Sequence, residues 1–213
     1  MNRRIMKRFF LLLSVVLHLS TISYSQNRGM TEEEIKDFEE RCIEYIDAMQ
    51  YGLEIIGDKA QPKEVKTHYK KNVLEFFMGR GEDYKTIKDG REIWQPAVRM
   101  FVSSVNRREP TPTPMKIYLD RLENLTYSVV KITKAAACKI SNFYPVPGNP
   151  DQYTATATYF QYFEGRTGDR TVYADVTQKD VTIFITRVVD GNLGEFWDIK
   201  FGDVNVVETR KVR

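Results

Sequence analysis

The sequence predicts an α+β fold in which a long N-terminal helix and shorter helices pack in a strongly curved, mostly antiparallel, cone-like sheet. Three observations predict it. Residues 151–207 read as three long strands, Tyr153–Phe163, Val172–Val188 and Glu195–Val207. They are joined by short turns, 164–169 and 190–194, rich in the Gly and Asp that tolerate positive φ. Far upstream, Ile35, Phe38, Cys42, Tyr45, Ile46, Met49, Leu53 and Ile56 recur at spacings of three and four, which is one apolar stripe on a helix. Finally, the apolar phase slips within two of the long strands, across Thr177–Asp180 and near Gly202-Asp203. A slip of that kind asks for a β-bulge, and bulges bend strands.

The first 25 residues are of another kind. Arg3, Arg4, Lys7 and Arg8 precede the apolar run Phe9–Leu19, which is too short to span a bilayer, for which about 20 residues are needed. Ser23-Tyr24-Ser25 then supplies small residues for cleavage before Gln26. This reads as a secretory signal peptide, 1–25, followed by a single domain, 26–213, that is exported to the periplasm or beyond and makes no stable membrane insertion once cleaved. The full chain carries 32 basic and 29 acidic residues, net +3. The leader holds four of the basic residues and none of the acidic ones, so the remainder has 28 against 29, net −1. Overall charge therefore gives no support to nucleic-acid binding. With 213 residues, 42% hydrophobic, the chain suits one ordinary globular domain.

Thr31-Glu-Glu-Glu34 has the form of a capping box opening the first helix, which runs to Gly57. Pro62 suits the first turn of a second helix striped by Val65, Tyr69, Val73, Phe76 and Phe77 and ended by Gly79 and Gly81. Its lysines 63, 66, 70 and 71 read as a solvated face. Tyr84–Lys88 is a short strand turned by Asp89-Gly90, and Arg99–Val105 is another strand. Pro110–Pro114 reads as a stiff connector to a short helix, Met115–Asn124, with Ile117, Leu119 and Leu122 apolar. A first long strand occupies Thr126–Ile140, and the Pro- and Gly-rich stretch Tyr144–Asp151 is a loop.

This order resembles the nuclear transport factor two-like, or cystatin-like, α+β cone, in which a bent sheet wraps a long N-terminal helix. Glu195-Phe-Trp-Asp-Ile-Lys-Phe is similar to that superfamily's Gly-x-Trp-x-Ile final strand, and the short helix before the first long strand sits where the superfamily places one. The chain also looks like small exported proteins of the Bacteroidetes type that carry such a domain. The superfamily holds isomerases, dehydratases and non-catalytic binding modules, so the resemblance does not choose a function. Its enzymes place an acid inside the cone. Asp175, Asp203 and Asp198 are the candidates here. Asp175 and Asp198 lie in the phase opposite to their apolar neighbours and read as solvated, while Asp203 sits at a proposed bulge. No catalytic residue is carried over.

Other chemistry finds little footing. His18 belongs to the leader, which leaves His68 alone, and no Cys or His pair has metal-ligand spacing. No metal or cofactor is expected. Cys42 and Cys138 fall on a helix and a strand. They can join in a disulfide if the two elements pack together, and otherwise are two buried thiols. Tyr153, Tyr159, Gln161, Tyr173 and Trp197 are candidates to line a pocket for a small apolar ligand, Gln161 being the polar interruption of an inward phase. Phe160 and Tyr162, in the opposite phase, make a candidate partner surface for a homodimer or another envelope protein. The leading reading is an exported, non-catalytic ligand-binding or protein-interaction domain of the cell envelope, and the alternative is a small-molecule isomerase or hydratase using an acid in the cone. A buried carboxylate facing an open cavity would favour the second.

Overall fold

The apolar stripe does lie against the wall of strands. In the computed structural model, which describes residues 30–106 and 109–212, α1 spans Glu32–Gly57 and buries Phe38, Cys42, Ile46, Met49, Leu53 and Ile56. Each such side chain contributes roughly 1.5–3 kcal/mol relative to exposure. Residues Glu33–Arg213 form one compact unit. The expected leader and its cleavage point before Gln26 lie outside the described residues.

Two further helices follow, α2 (Lys63–Glu75) and α3 (Met115–Glu123). The strands are β1 (Tyr84–Lys88), β2 (Arg91–Gln95), β3 (Arg99–Val102), β4 (Thr111–Pro114), β5 (Val129–Lys134), β6 (Lys139–Ile140), β7 (Tyr144–Val146), β8 (Asn149–Thr167), β9 (Arg170–Asp190) and β10 (Gly194–Lys211). Strands β1 and β2 form a separate hairpin. The others form one sheet in the order β4-β3-β10-β9-β8-β5, with β6 and β7 also paired to β8. Every pairing is antiparallel except β3 with β10.

The turns follow the local chemistry. Asp89 and Gly90 both have positive φ, 51° and 72°, between the paired ends Lys88 and Arg91, as a two-residue hairpin turn requires. The Asp190 carboxylate accepts hydrogen bonds from the Asn192 and Leu193 N–H groups at 2.8 and 2.9 Å, and Gly194 closes that turn at φ 78°.

Helix α1 runs across the inner face of the sheet. Phe38 meets Trp197 of β10 edge-on, with ring centroids 5.8 Å apart. In mid-helix, the Gln161 side-chain amide of β8 donates to Gln50 Oε1 at 2.9 Å, and the Gln50 amide donates to the Tyr159 hydroxyl at 3.1 Å. At its end, a Cβ on Gly57 would lie 3.1 Å from Val130 of β5. Helix α2 crosses α1 at Gly52, where a Cβ would sit 2.4 Å from Val73 Cγ2. The chain then passes through Phe77, which is fully buried and bridges Phe201 of β10.

Several expectations need correction. The bulge at Gly202-Asp203 is present, because the pairing steps from Phe201–Ile183 to Val204–Val181. The one across Thr177–Asp180 is not in β9, which pairs with β8 without interruption from Gln152–Thr186 to Gly165–Tyr173; the irregularity at that level lies in β10, where the pairing steps from Val206–Lys179 to Glu208–Gln178. The apolar residues change face there because the inner face itself turns polar. Thr126–Ile140 is not one strand; Ala135–Ala137 are exposed and part β5 from β6. The Tyr144–Asp151 loop is a hairpin of β7 with the start of β8, turned at Gly148 with φ 76°. Pro110–Pro114 is in part a strand, β4, whose two prolines are tolerated because it lies at the sheet edge. Strand β3 stops at Val102 rather than Val105. Ile117 is 45% exposed, and Met115, Leu119 and Leu122 bury α3 instead. Nor is the lysine face of α2 uniformly solvated. Lys66 is buried, and Lys70 pairs with Asp120 and Glu123 of α3 at 2.8 and 2.7 Å.

Candidate active site in the cone

Strand β9 supplies the floor of the site. Side chains two apart share a face of a strand, so Tyr173, Asp175, Thr177 and Lys179 form one row, continued by Val181, Ile183 and Ile185. The apolar end of the row is core. The polar end is almost as deeply buried, with Asp175 and Lys179 both 5% exposed, yet it faces open space. A cavity of about 480 Å³, partly open to solvent, lies over it. That volume is in the range of small-molecule sites.

The walls come from four directions. Strand β8 contributes Gln161 and Phe163, paired across the sheet with Thr177 and Asp175. Strand β10 contributes Val206, opposite Lys179. The edge strands contribute Phe101, Val102, Thr111 and Thr113. Helix α3 and the segment after it contribute Tyr118, Leu122, Leu125 and Tyr127. Tyr127 lies flat against Gly165, where a Cβ would come within 2.7 Å of its ring. The result is a mostly apolar chamber whose charged residues are Asp175, Lys179 and Arg121 of α3, with several hydroxyls.

The hydroxyl of Tyr173 donates to Asp175 Oδ2 and accepts from the Val105 N–H at 3.2 Å. Burial pushes the Asp175 carboxyl above the ordinary aspartate range, opposed by the hydrogen bond from Tyr173, the charge of Lys179 and the hydrogen bond from Thr177. Tyr173 itself is pushed up to about 12, first by burial and then by its bond to Asp175. Burial lowers Lys179 from 10.5 to about 8, with Asp175 pulling the other way. Among the described residues no carboxylate oxygen lies within 4.0 Å of its ammonium. Its hydrogen-bond partner is the Met100 thioether at 3.3 Å, a weak acceptor, and it stands 5.9 Å from the centroid of the Tyr118 ring. Four steps of extended chain separate Asp175 from Lys179, about 13 Å between Cα atoms. A bound molecule can lie between the two groups.

The residues expected to form a pocket are divided by the structure. Gln161 and Tyr173 line the cavity. Tyr159 is fully buried beneath it, its hydroxyl held by Gln50. Tyr153 and Trp197 pack on each other 6.0 Å apart, beside Phe38 and away from the cavity. Of the three acids, Asp203 accepts from the Arg99 backbone N–H at 2.8 Å and from its guanidinium Nη2 at 2.6 Å. Asp198 lies near Lys200 at the surface, 3.7 Å away. Asp175 is not solvated, contrary to expectation. The missed signal is strict alternation: in a strand this long, Asp175, Thr177 and Lys179 share the phase of Val181, Ile183 and Ile185.

Phe160 is 36% exposed on the outer face, but Tyr162 is half-buried and donates its hydroxyl to Glu164 at 2.9 Å. Cys42 and Cys138 are both buried and free. Burial raises their thiols to about 12 and about 11. His68 is exposed on α2 beside Asn72, 2.9 Å away. Among the described residues, no cluster of three His, Cys, Asp or Glu side chains could hold a metal, and no helix is long and apolar enough to cross a membrane.

No protein-family model matches the chain, and no curated protein matches it. Among solved structures, it is similar to a protein from Novosphingobium aromaticivorans DSM 12444 provisionally assigned as a scytalone dehydratase. The identity is 11% and the TM-score 0.40, over 85% of this chain and 92% of that one.

Proposed function

We propose that this chain is an exported, nuclear transport factor two-like protein whose cone binds a small, largely apolar molecule and exchanges protons with it, as a hydratase or isomerase does. One observation carries this reading: the Asp175 carboxyl is buried, held by Tyr173, and faces a cavity of about 480 Å³. A carboxyl whose pKa is raised by burial can both take and return a proton, which is what enolisation or elimination beside a carbonyl needs. Lys179 supplies positive charge on the same wall, where an oxyanion would develop. The apolar walls favour a cyclic or aromatic skeleton over a sugar or nucleotide. Export rests on the basic and apolar leader in residues 1–25.

Exchange of α-protons tests the proposal. Incubated with cyclohexanone in deuterium oxide, the protein should accelerate loss of the α-proton signals in a saturable way. Asp175→Asn should lower the rate at least tenfold, and the wild-type rate should rise with pH through a value above the ordinary aspartate pKa. Equal rates for the wild type and Asp175→Asn would overturn the reading.

A further inference from the structure

Lys179 is the less expected of the two groups. A surface lysine keeps its ammonium in water by stretching its four-carbon stem. This one is 5% exposed, lines a chamber with Phe163, Tyr118 and Leu122, and its nitrogen meets the Met100 thioether at 3.3 Å and the Tyr118 ring, whose centroid is 5.9 Å away. An ammonium has three protons to donate and here finds one weak acceptor and one ring face. An ion pair with Asp175 would satisfy it, yet none forms within 4.0 Å among the described residues. A neutral amine in this position has a free lone pair and far less to lose by desolvation. Lysines in such surroundings act as nucleophiles toward carbonyl carbon.

From this geometry we infer that the cavity takes carbonyl compounds, small aromatic or cyclic aldehydes and ketones, and that Lys179 forms an imine with them. The inference deepens the reading above and rests on the same cavity. The steps balance without an oxidant or reductant. The amine nitrogen bonds to the carbonyl carbon, and a proton moves from nitrogen to oxygen. The C–O bond of the resulting carbinolamine then breaks, water leaves, and nitrogen gives up its second proton as C=N forms. The proton that the departing hydroxyl takes and the one that nitrogen releases are exchanged with solvent through the open side of the cavity. Lowering of the Lys179 pKa to about 8, caused by burial, keeps an appreciable neutral fraction near neutral pH.

Reductive trapping tests this. The folded protein is incubated at pH 8 with benzaldehyde and sodium cyanoborohydride, and the modified lysine is located by peptide mass spectrometry. Lys179 should be alkylated at least ten times faster than any other lysine, although it is among the least exposed. The benzaldehyde adduct at that peptide should vanish in Lys179→Arg, while the slow labelling of surface lysines persists. Labelling of surface lysines alone would overturn the inference. Cyclohexanone exchange separates this failure from that of the broader reading. If exchange by the wild type is Asp175-dependent while trapping at Lys179 fails, only the imine is wrong. If exchange and trapping are both absent, the cavity is not a carbonyl site and both readings fall.

Discussion

Replacing Lys179 by methionine should stabilise the fold at neutral pH and cease to do so in alkali. The side chains have similar length and volume, and the methionine thioether can rest against Met100 where the ammonium now lies 3.3 Å away. A lysine pKa lowered from 10.5 to about 8 in the folded state corresponds to about 3 kcal/mol of disfavoured protonation. The sign follows from proton counting. Below about pH 8 both states hold the proton, and the folded state bears the full penalty. Between about 8 and 10.5 the unfolded chain binds more protons, so wild-type stability rises with pH. Part of the gain from the substitution is cancelled, because Asp175 loses a favourable neighbour. The net expectation is about 1–3 kcal/mol of stabilisation at pH 7, shrinking to under about 1 kcal/mol at pH 10. Urea denaturation of both proteins at the two pH values, at unchanged m, reads this directly. A Lys179→Met protein less stable than wild type at pH 7 would refute the reasoning, since it would mean that the ammonium is a satisfied structural partner.

Three other outcomes follow from the packing. Gly52→Ala should destabilise by about 1–3 kcal/mol despite the better helix propensity of alanine, because the new methyl meets Val73 Cγ2 at 2.4 Å; Val73→Ala should recover most of the loss in a thermal or urea melt. Gln50→Leu should cost about 1–3 kcal/mol for each partner left unsatisfied, since Gln161 and Tyr159 both depend on that amide. Cys42 and Cys138, buried and with raised thiols, should resist iodoacetamide at pH 8 in the folded protein and react promptly in urea; fast labelling of the native protein would show that the helix α1 seam opens.

Much of the architecture was legible because it rests on local chemistry. The 3.6-residue stripe of α1, the Asp-Gly turn at 89–90 and the phase reversal at Gly202-Asp203 all appear where the residues indicate. The site was legible only in part. Alternation along β8 pointed to Gln161, and Tyr173 also lines the cavity. Reading apolar residues as inward, however, turned Asp175 outward, left Lys179 unread, and required a bulge that β9 does not contain. A strand that crosses from core to cavity changes the polarity of its inner face without changing phase, and a single strand's pattern cannot tell the two apart. Tyr153 and Trp197 failed for the opposite reason: they do share the inner side, but at the end filled by Phe38. The edge role of β4 depended on a neighbour, β3, that joins β10 through a parallel pairing no local pattern specifies.

The most direct measurement is the titration of Lys179 itself, followed through its Cε and Hε resonances in lysine-labelled protein and assigned by their loss in Lys179→Arg. The account predicts release of the proton near pH 8, with the midpoint moving when Asp175 is changed to asparagine. A midpoint at or above 10.5, unmoved by that substitution, would place the ammonium in water and contradict it.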